Sequence, residues 1–243
     1  MRLFRWFAVV AVLFLTSSCV SALEMSAAGK SAQEVFQDGK VVSLLQAVRD
    51  RDVAKAESLI REGANVNASG YEGVTPLIWM IYQHDYGAIE LLLNLGADPN
   101  QPWSRGEAPV YMAASAGDDK LITLLLDHGG NPDSPDRGKS AMMIAIIRSH
   151  MNCADLLLRR GANINYHDGF SSTIMAPEMI GRFDWLVWVL DHGYTYDLVR
   201  ARRGISNAIP VADQLVWKKK ALEIMDQRIE EGGTSGAGGG KRP

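Results

Sequence analysis

Apolar residues recur at three- and four-residue intervals in five stretches of this chain: AKAESLIRE (54–62), AIELLLNL (88–95), LITLLLDH (121–128), CADLLLRR (153–160) and WLVWVLDH (185–192). That interval sets the apolar side chains on one face of an α-helix, which predicts five amphipathic helices. Each stretch runs into a glycine that opens a near-copy of one pentapeptide. The copies are GANVN (63–67), GADPN (96–100), GGNPD (129–133), GANIN (161–165) and GYTYD (193–197), at steps of 33, 33, 32 and 32 residues. Glycine stops a helix because the position after the C-cap favours left-handed backbone. The Asn or Asp four residues later suits a turn.

A second helix is predicted ahead of each of the last four. Thr75-Pro76-Leu77 marks the clearest start: threonine caps open N–H groups, and proline fits the first helical position. Ala108-Pro109-Val110, Ser140-Ala141-Met142 and Ser172-Thr173-Ile174 follow at 33, 32 and 32 residues, in step with the glycines. Pro177 falls inside the last of these helices and should kink or shorten it.

A unit of this length, built as a turn and two helices, resembles the ankyrin repeat. The residues that carry the likeness are GVTPL (73–77), AASAG (113–117), LLLNLGADPN (91–100) and LLLRRGANIN (156–165). It covers roughly residues 38–197. The resemblance implies an all-α ankyrin-repeat solenoid of about five helix-turn-helix repeats with short finger hairpins, each repeat buried against its neighbours. The chain departs from the family where a histidine usually follows Thr-Pro-Leu: Ile78, Tyr111, Met143 and Met175 stand there.

Beyond Asp197 the repeat pattern fades, and residues 198–231 read as a helical C-terminal cap. Pro210 to Glu231 forms one amphipathic helix in this reading, with Ala212, Leu215, Val216, Leu222, Met225 and Ile229 on its apolar face. Residues 232–243 are Gly-rich and expected to be disordered.

The start of the chain differs in kind. Arg2 and Arg5 precede an unbroken apolar run, Trp6 to Leu15, too short to span a bilayer comfortably. This predicts a secretory signal over residues 1–18. Thr16-Ser17-Ser18-Cys19 resembles a bacterial lipobox, which implies lipidation of Cys19 and an outer-membrane anchor; Val20-Ser21-Ala22 offers the alternative of cleavage after Ala22. Residues 19–37 are then a tether, and the localisation expected is the periplasm.

Composition narrows the chemistry. The chain of 243 residues is 47% hydrophobic and 22% charged with a net charge of −3, so no sequence-wide basic field invites nucleic acid. Its two cysteines, Cys19 and Cys153, supply no disulfide framework, and Cys153 is expected to act as a small core hydrophobe. No metal-binding signature, nucleophile elbow or phosphate loop occurs. No catalytic residue, cofactor or metal is therefore assigned, and the chain is read as a non-enzyme. His128 and His192 sit at helix C-termini, where the dipole favours them. The aromatic residues Phe183, Trp185, Trp188, Tyr194 and Tyr196 form either a bulky core or a partner-facing patch.

In ankyrin proteins the finger tips and the inward face of each first helix contact a partner protein. Carried onto this chain, the resemblance implies Tyr71 and Glu72 in one finger and Trp103, Arg105 and Glu107 in the next. Asp136, Arg137 and Lys139 follow in the third, and His167, Asp168 and Phe170 in the fourth. Tyr82, Gln83, Ser115 and Arg148 fall on the first helices. Trp103→Ala with Arg105→Ala is expected to weaken partner binding without unfolding the stack. The partner is another protein, bound by a chain that is monomeric when alone. One reading is an immunity protein neutralising a periplasm-directed toxin. Another is a scaffold or accessory factor for an envelope or oxidative-stress enzyme. An unrecognised hydrolase would need a histidine paired with a polar group in a pocket.

Overall fold

A computed structural model describes residues 30–232. The expected signal segment, Cys19 and all but the first residue of the Gly-rich tail lie outside the described residues. The chain divides into two compact units, Met1–Asp98 and Pro99–Pro243.

The first unit begins with a short helix, α1 (Ala32–Val35), closed by a reciprocal cap between Ser31 and Glu34. Val35 and Phe36 are buried, and the Phe36 ring meets Trp79 edge-on at 6.2 Å. The last residues of the expected tether therefore belong to the core. Helices α2 (Gly39–Arg49) and α3 (Val53–Arg61) form one antiparallel pair, and α4 (Pro76–Tyr82) and α5 (Tyr86–Asn94) the next. Thr75 accepts a hydrogen bond from Ile78 N at 3.1 Å with Pro76 behind it, so the cap forms as its sequence dictates.

The second unit repeats the pair with α6 (Pro109–Ala116) and α7 (Asp119–Asp127), then α8 (Ala141–Ile147) and α9 (Met151–Arg159). A two-stranded hairpin, β1 (Pro135–Asp136) and β2 (Lys139–Ser140), leads into α8. The last pair is α10 (Met175–Met179) and α11 (Phe183–Asp191); α10 runs for only 5 residues around Pro177. Ile78, Tyr111 and Met143 are buried where the family carries histidine, so that slot is apolar here.

Gly63, Gly96, Gly129, Gly161 and Gly193 hold φ between 85° and 99° directly after the second helix of each pair. A Cβ there would be strained, which explains the invariant first letter of the pentapeptide. Its last letter does more than turn the chain. Asn67 donates to Gly96 O at 3.1 Å and accepts from Asp98 N at 2.7 Å. Asn100 does the same with Gly129 O at 3.0 Å and Asn131 N at 2.7 Å. Asn165 reaches Gly193 O at 3.5 Å and Thr195 N at 2.7 Å. Each side chain thus clamps the helix stop of the following repeat. Asp133 can only accept, from Asn163 N at 2.7 Å, since a carboxylate has no donor for Gly161 O. Asp133→Asn should supply that donor and stabilise the second unit by about 1 kcal/mol. Chemical denaturation measures it; an unchanged or lower midpoint would refute the clamp at this step.

A second period escaped the sequence reading. Asp52, Asp85 and Asp118, spaced by 33 residues, cap α3, α5 and α7 by accepting from Lys55 N, Ala88 N and Leu121 N at 3.0, 3.1 and 2.8 Å. Arg51 pairs with Asp85 of the next repeat, and Arg160 with Asp127 of the repeat before.

The C-terminal segment is helical but differs in detail from the single long helix expected. Residues Leu198–Asn207 form a separate helix, α12; only Leu198 and Ile205 are buried, and arginines fill the space between them. The final helix, α13 (Leu215–Glu230), begins after a 3₁₀ turn at Ala212–Gln214 rather than at Pro210. Its packed face carries Ala221 and Met225, whereas Leu215 is 52% and Val216 72% exposed. The helix is rotated from the predicted orientation because Ala221 permits close approach and two long cations spend their charge on carbonyl oxygens. Arg228 donates to Leu190 O and Tyr194 O at 2.9 and 3.1 Å, and Lys218 to Ser206 O and Ala208 O at 2.9 and 2.6 Å. Arg202 and Asp226 tie α12 to α13.

Candidate protein-binding face

The expected contact residues divide between the two units. In the first, Tyr71 is 47% exposed with the Lys30 ammonium 4.0 Å over its ring. Glu72 sits at φ 52° and buries its Oε2 without a hydrogen-bond partner. Tyr82 is half-buried at the end of α4, and Gln83 is exposed at its C-cap.

In the second unit three fingers follow one another. In the first of these, Trp103 is only 3% exposed; its indole N–H donates to Glu107 Oε2 at 3.1 Å, and the Arg105 guanidinium covers its ring at 4.7 Å. Trp103 therefore holds the finger closed from inside and leaves Arg105 outside. Its truncation should therefore cost stability as well as any contact with a partner. In the next finger Asp136 is also buried, at 8% exposure, and the tip is Arg137, whose side chain is 74% exposed. Gly106 lies against Asp136, and a Cβ on Gly138 would collide with the Asp168 carboxylate, so the three fingers are in contact. Glu107, Asp136, Arg137 and Arg148 surround Tyr111, whose phenol is pushed up to about 12 by burial first and by Asp136 and Glu107 next. Ser115 is half-buried on α6.

The fourth finger closes through a bridge between His167 and Ser172. His167 stacks on Tyr196 at 3.7 Å with the rings 7° from parallel. Asp168 accepts from Phe170 N and Ser171 N at 2.9 and 2.6 Å, and these bonds hold its carboxyl below the ordinary range. The turn so formed presents Phe170, 84% exposed.

Behind Phe170 lies a cavity of about 380 Å³ between this finger, α10 and α12, lined among others by Tyr194, Tyr196, Glu178, Arg200 and Arg203. Burial raises the Glu178 carboxyl, and Gly204 faces it from α12 with no side chain to fill the space. Sequence reasoning missed Glu178, Arg200 and Arg203; the run Arg200-Ala-Arg-Arg was the available signal. The aromatic cluster splits. Phe183 and Tyr194 are core, Tyr194 at about 12 through burial, while Trp185 carries Arg182 at 3.8 Å and Tyr196 joins the fourth finger.

The remaining candidates for chemistry are structural. His128 and His192 bond the carbonyls of Leu124 and Trp188 at 2.9 and 2.8 Å, finishing α7 and α11. Cys153 is 1% exposed and donates to Asp119 Oδ1 at 2.8 Å; burial, then Asp119, pushes its thiol up to about 12. A thiol held protonated is a poor nucleophile. Among the described residues no cluster of three His, Cys, Asp or Glu could hold a metal ion.

A family model of three ankyrin-repeat copies matches residues 95–168, and a single ankyrin-repeat model matches residues 72–103. Residues 72–168 thus match ankyrin repeats. No curated protein matches the chain. Ankyrin repeats imply a protein–protein interaction module, and the family is typically non-enzymatic. The repeats built around Gly63 and Gly193 lie beyond the matched spans, yet both close with the same left-handed glycine, and the Asn165 clamp reaches the last of them.

Proposed function

We propose that this chain captures a partner protein on the fourth finger and the adjoining α10–α12 cavity of its second unit. The observation that carries the reading is Phe170, an 84% exposed aromatic ring at the rim of a cavity walled by tyrosines and arginines. Protruding aromatics that enter a partner's pocket, beside a receptive cavity and Arg, make the composition of a binding hot spot. Arg137 and Arg105 extend the surface along the neighbouring fingers, and Arg148 along the end of α8.

We place this binding module in the bacterial envelope, on the strength of the signal-like start and Cys19, and read it as an immunity protein that neutralises a periplasm-directed toxin. Affinity capture from its own cells identifies the partner. Phe170→Ala should then weaken that complex by about 2 kcal/mol, roughly thirtyfold, in calorimetry. Arg203→Glu should mainly slow association. Full affinity in both variants would remove the site from this face. Toxin sensitivity on deletion supports the immunity role; peroxide or envelope stress without it would favour a scaffold for a stress enzyme.

A further inference from the structure

The link from α12 to α13 exposes its apolar residues almost completely. Ile209 is 96%, Val211 65%, Leu215 52% and Val216 72% exposed, within eight residues of sequence. An end cap of a repeat stack ordinarily turns a polar side to water. Scattered exposed apolar side chains need no explanation, but a contiguous group does.

The charges on α13 are ordered with respect to that tip. At 3.6 residues per turn, Leu215 and Val216 begin the exposed face, Lys219 and Lys220 occupy its next turn, and Glu223, Asp226 and Glu230 follow. Glu230 lies roughly 20 Å along the axis from Val216, beyond a Debye length of about 10 Å. Trp217 stands at the boundary of apolar and basic residues, 39% exposed, with the Lys220 ammonium 5.5 Å over its ring. The acid within the stretch, Asp213, lies within electrostatic reach of Arg182. Asp226 is paired with Arg202.

We infer that the Ile209–Val216 tip seats the protein on an anionic lipid surface, the apolar side chains entering the headgroup boundary and Lys219 and Lys220 meeting the lipid charge. An apolar tip, a basic collar and acids set a turn or more further along α13 fit a flat negative interface; Ile209 also borders a recess lined by Met175, Met179 and Phe183, which adds apolar surface at the same end. Tryptophan beside lysine is the pairing favoured at membrane–water interfaces. Among the described residues no helix is long and apolar enough to cross a membrane, so the contact is peripheral.

The test is co-sedimentation of the full chain with vesicles of phosphatidylethanolamine and phosphatidylglycerol, against vesicles of phosphatidylcholine alone. Binding should favour the anionic vesicles and fall with added salt. Leu215→Ser with Val216→Ser should lower partition about tenfold or more. Lys219→Gln with Lys220→Gln should lower it about thirtyfold. Val53→Ser, at an exposed apolar residue of the first unit, should change nothing. All four tip positions substituted are exposed, so unchanged melting of the variants shows that the fold is kept. Anionic vesicle binding that is absent, or that persists in both double variants, overturns the proposal. So does loss of a captured protein partner in these variants with vesicle binding intact, which would make the tip a protein interface.

Discussion

Trp103→Ala should destabilise the second unit by about 3–5 kcal/mol, the cost of emptying a buried tryptophan site. For a unit of this size that lowers the melting temperature by roughly 10 °C. The indole is buried at 3% exposure and is anchored by its N–H to Glu107 Oε2. Trp103→Phe would keep most of the packing and leave Glu107 without that donor, costing about 1–2 kcal/mol. Arg105→Ala removes only a cation over the outer ring face, worth about 0.5–1 kcal/mol, and so is the cleaner probe of partner binding. Differential scanning calorimetry separates the three. If Trp103→Ala melts with the parent, the closed finger described above does not exist in solution.

Alkaline pH should unfold the same unit. Cys153, ordinarily near 9.0, and Tyr111 and Tyr194, ordinarily near 10.0, are each pushed up to about 12 by burial. An unfolded chain releases these protons near the ordinary values, while the native state keeps them until about 12. The native state then binds more protons than the unfolded state across that window, so stability falls as pH rises through it. Below the window the contribution is present in full. With allowance for solvent screening, the loss is on the order of 5 kcal/mol over the window. Tyr194→Phe should flatten the alkaline limb of a melting-temperature profile at a neutral-pH cost of about 1 kcal/mol for its bond to Ser172. A profile that stays level through the window would show these groups to be solvated.

The helix pairs were legible because burial in a repeat imposes one period on many residues. Leu92, Leu125, Leu157 and Val189 each occupy the same buried slot, ahead of the helix-stopping glycine, and announce it four times. Helix α12 fell within the stretch read as a helical cap but was not separated from the final helix, since its buried face is only Leu198 and Ile205, two turns apart and set among arginines. The orientation of α13 failed for a related reason. Hydrophobicity ranks Leu215 and Val216 above Ala221, but close packing selects the small side chain, and the bonds of Lys218 and Arg228 turn the helix. For the finger segments, sequence gives no sign of which side chain turns inward. Trp103 and Asp136 read as ready contacts and are interior, while Phe170 is as prominent as it reads. The cavity behind it needed three separated segments, the finger, Glu178 and Arg200–Gly204, brought together by the shortened α10.

The asparagine clamps have a consequence for how such a chain can change length. Asn67, Asn100 and Asn165 each reach forward to a glycine carbonyl 28 or 29 residues on, and none completes its own turn. Each of these three joints is thus made of one half from each neighbour, and their halves are interchangeable. Cutting out a whole unit between two such residues would rejoin matching halves, whereas a cut of any other length would leave a carbonyl facing nothing. Growth and loss by complete units is therefore the arithmetic this backbone tolerates, while the finger sequences between the joints stay free to vary.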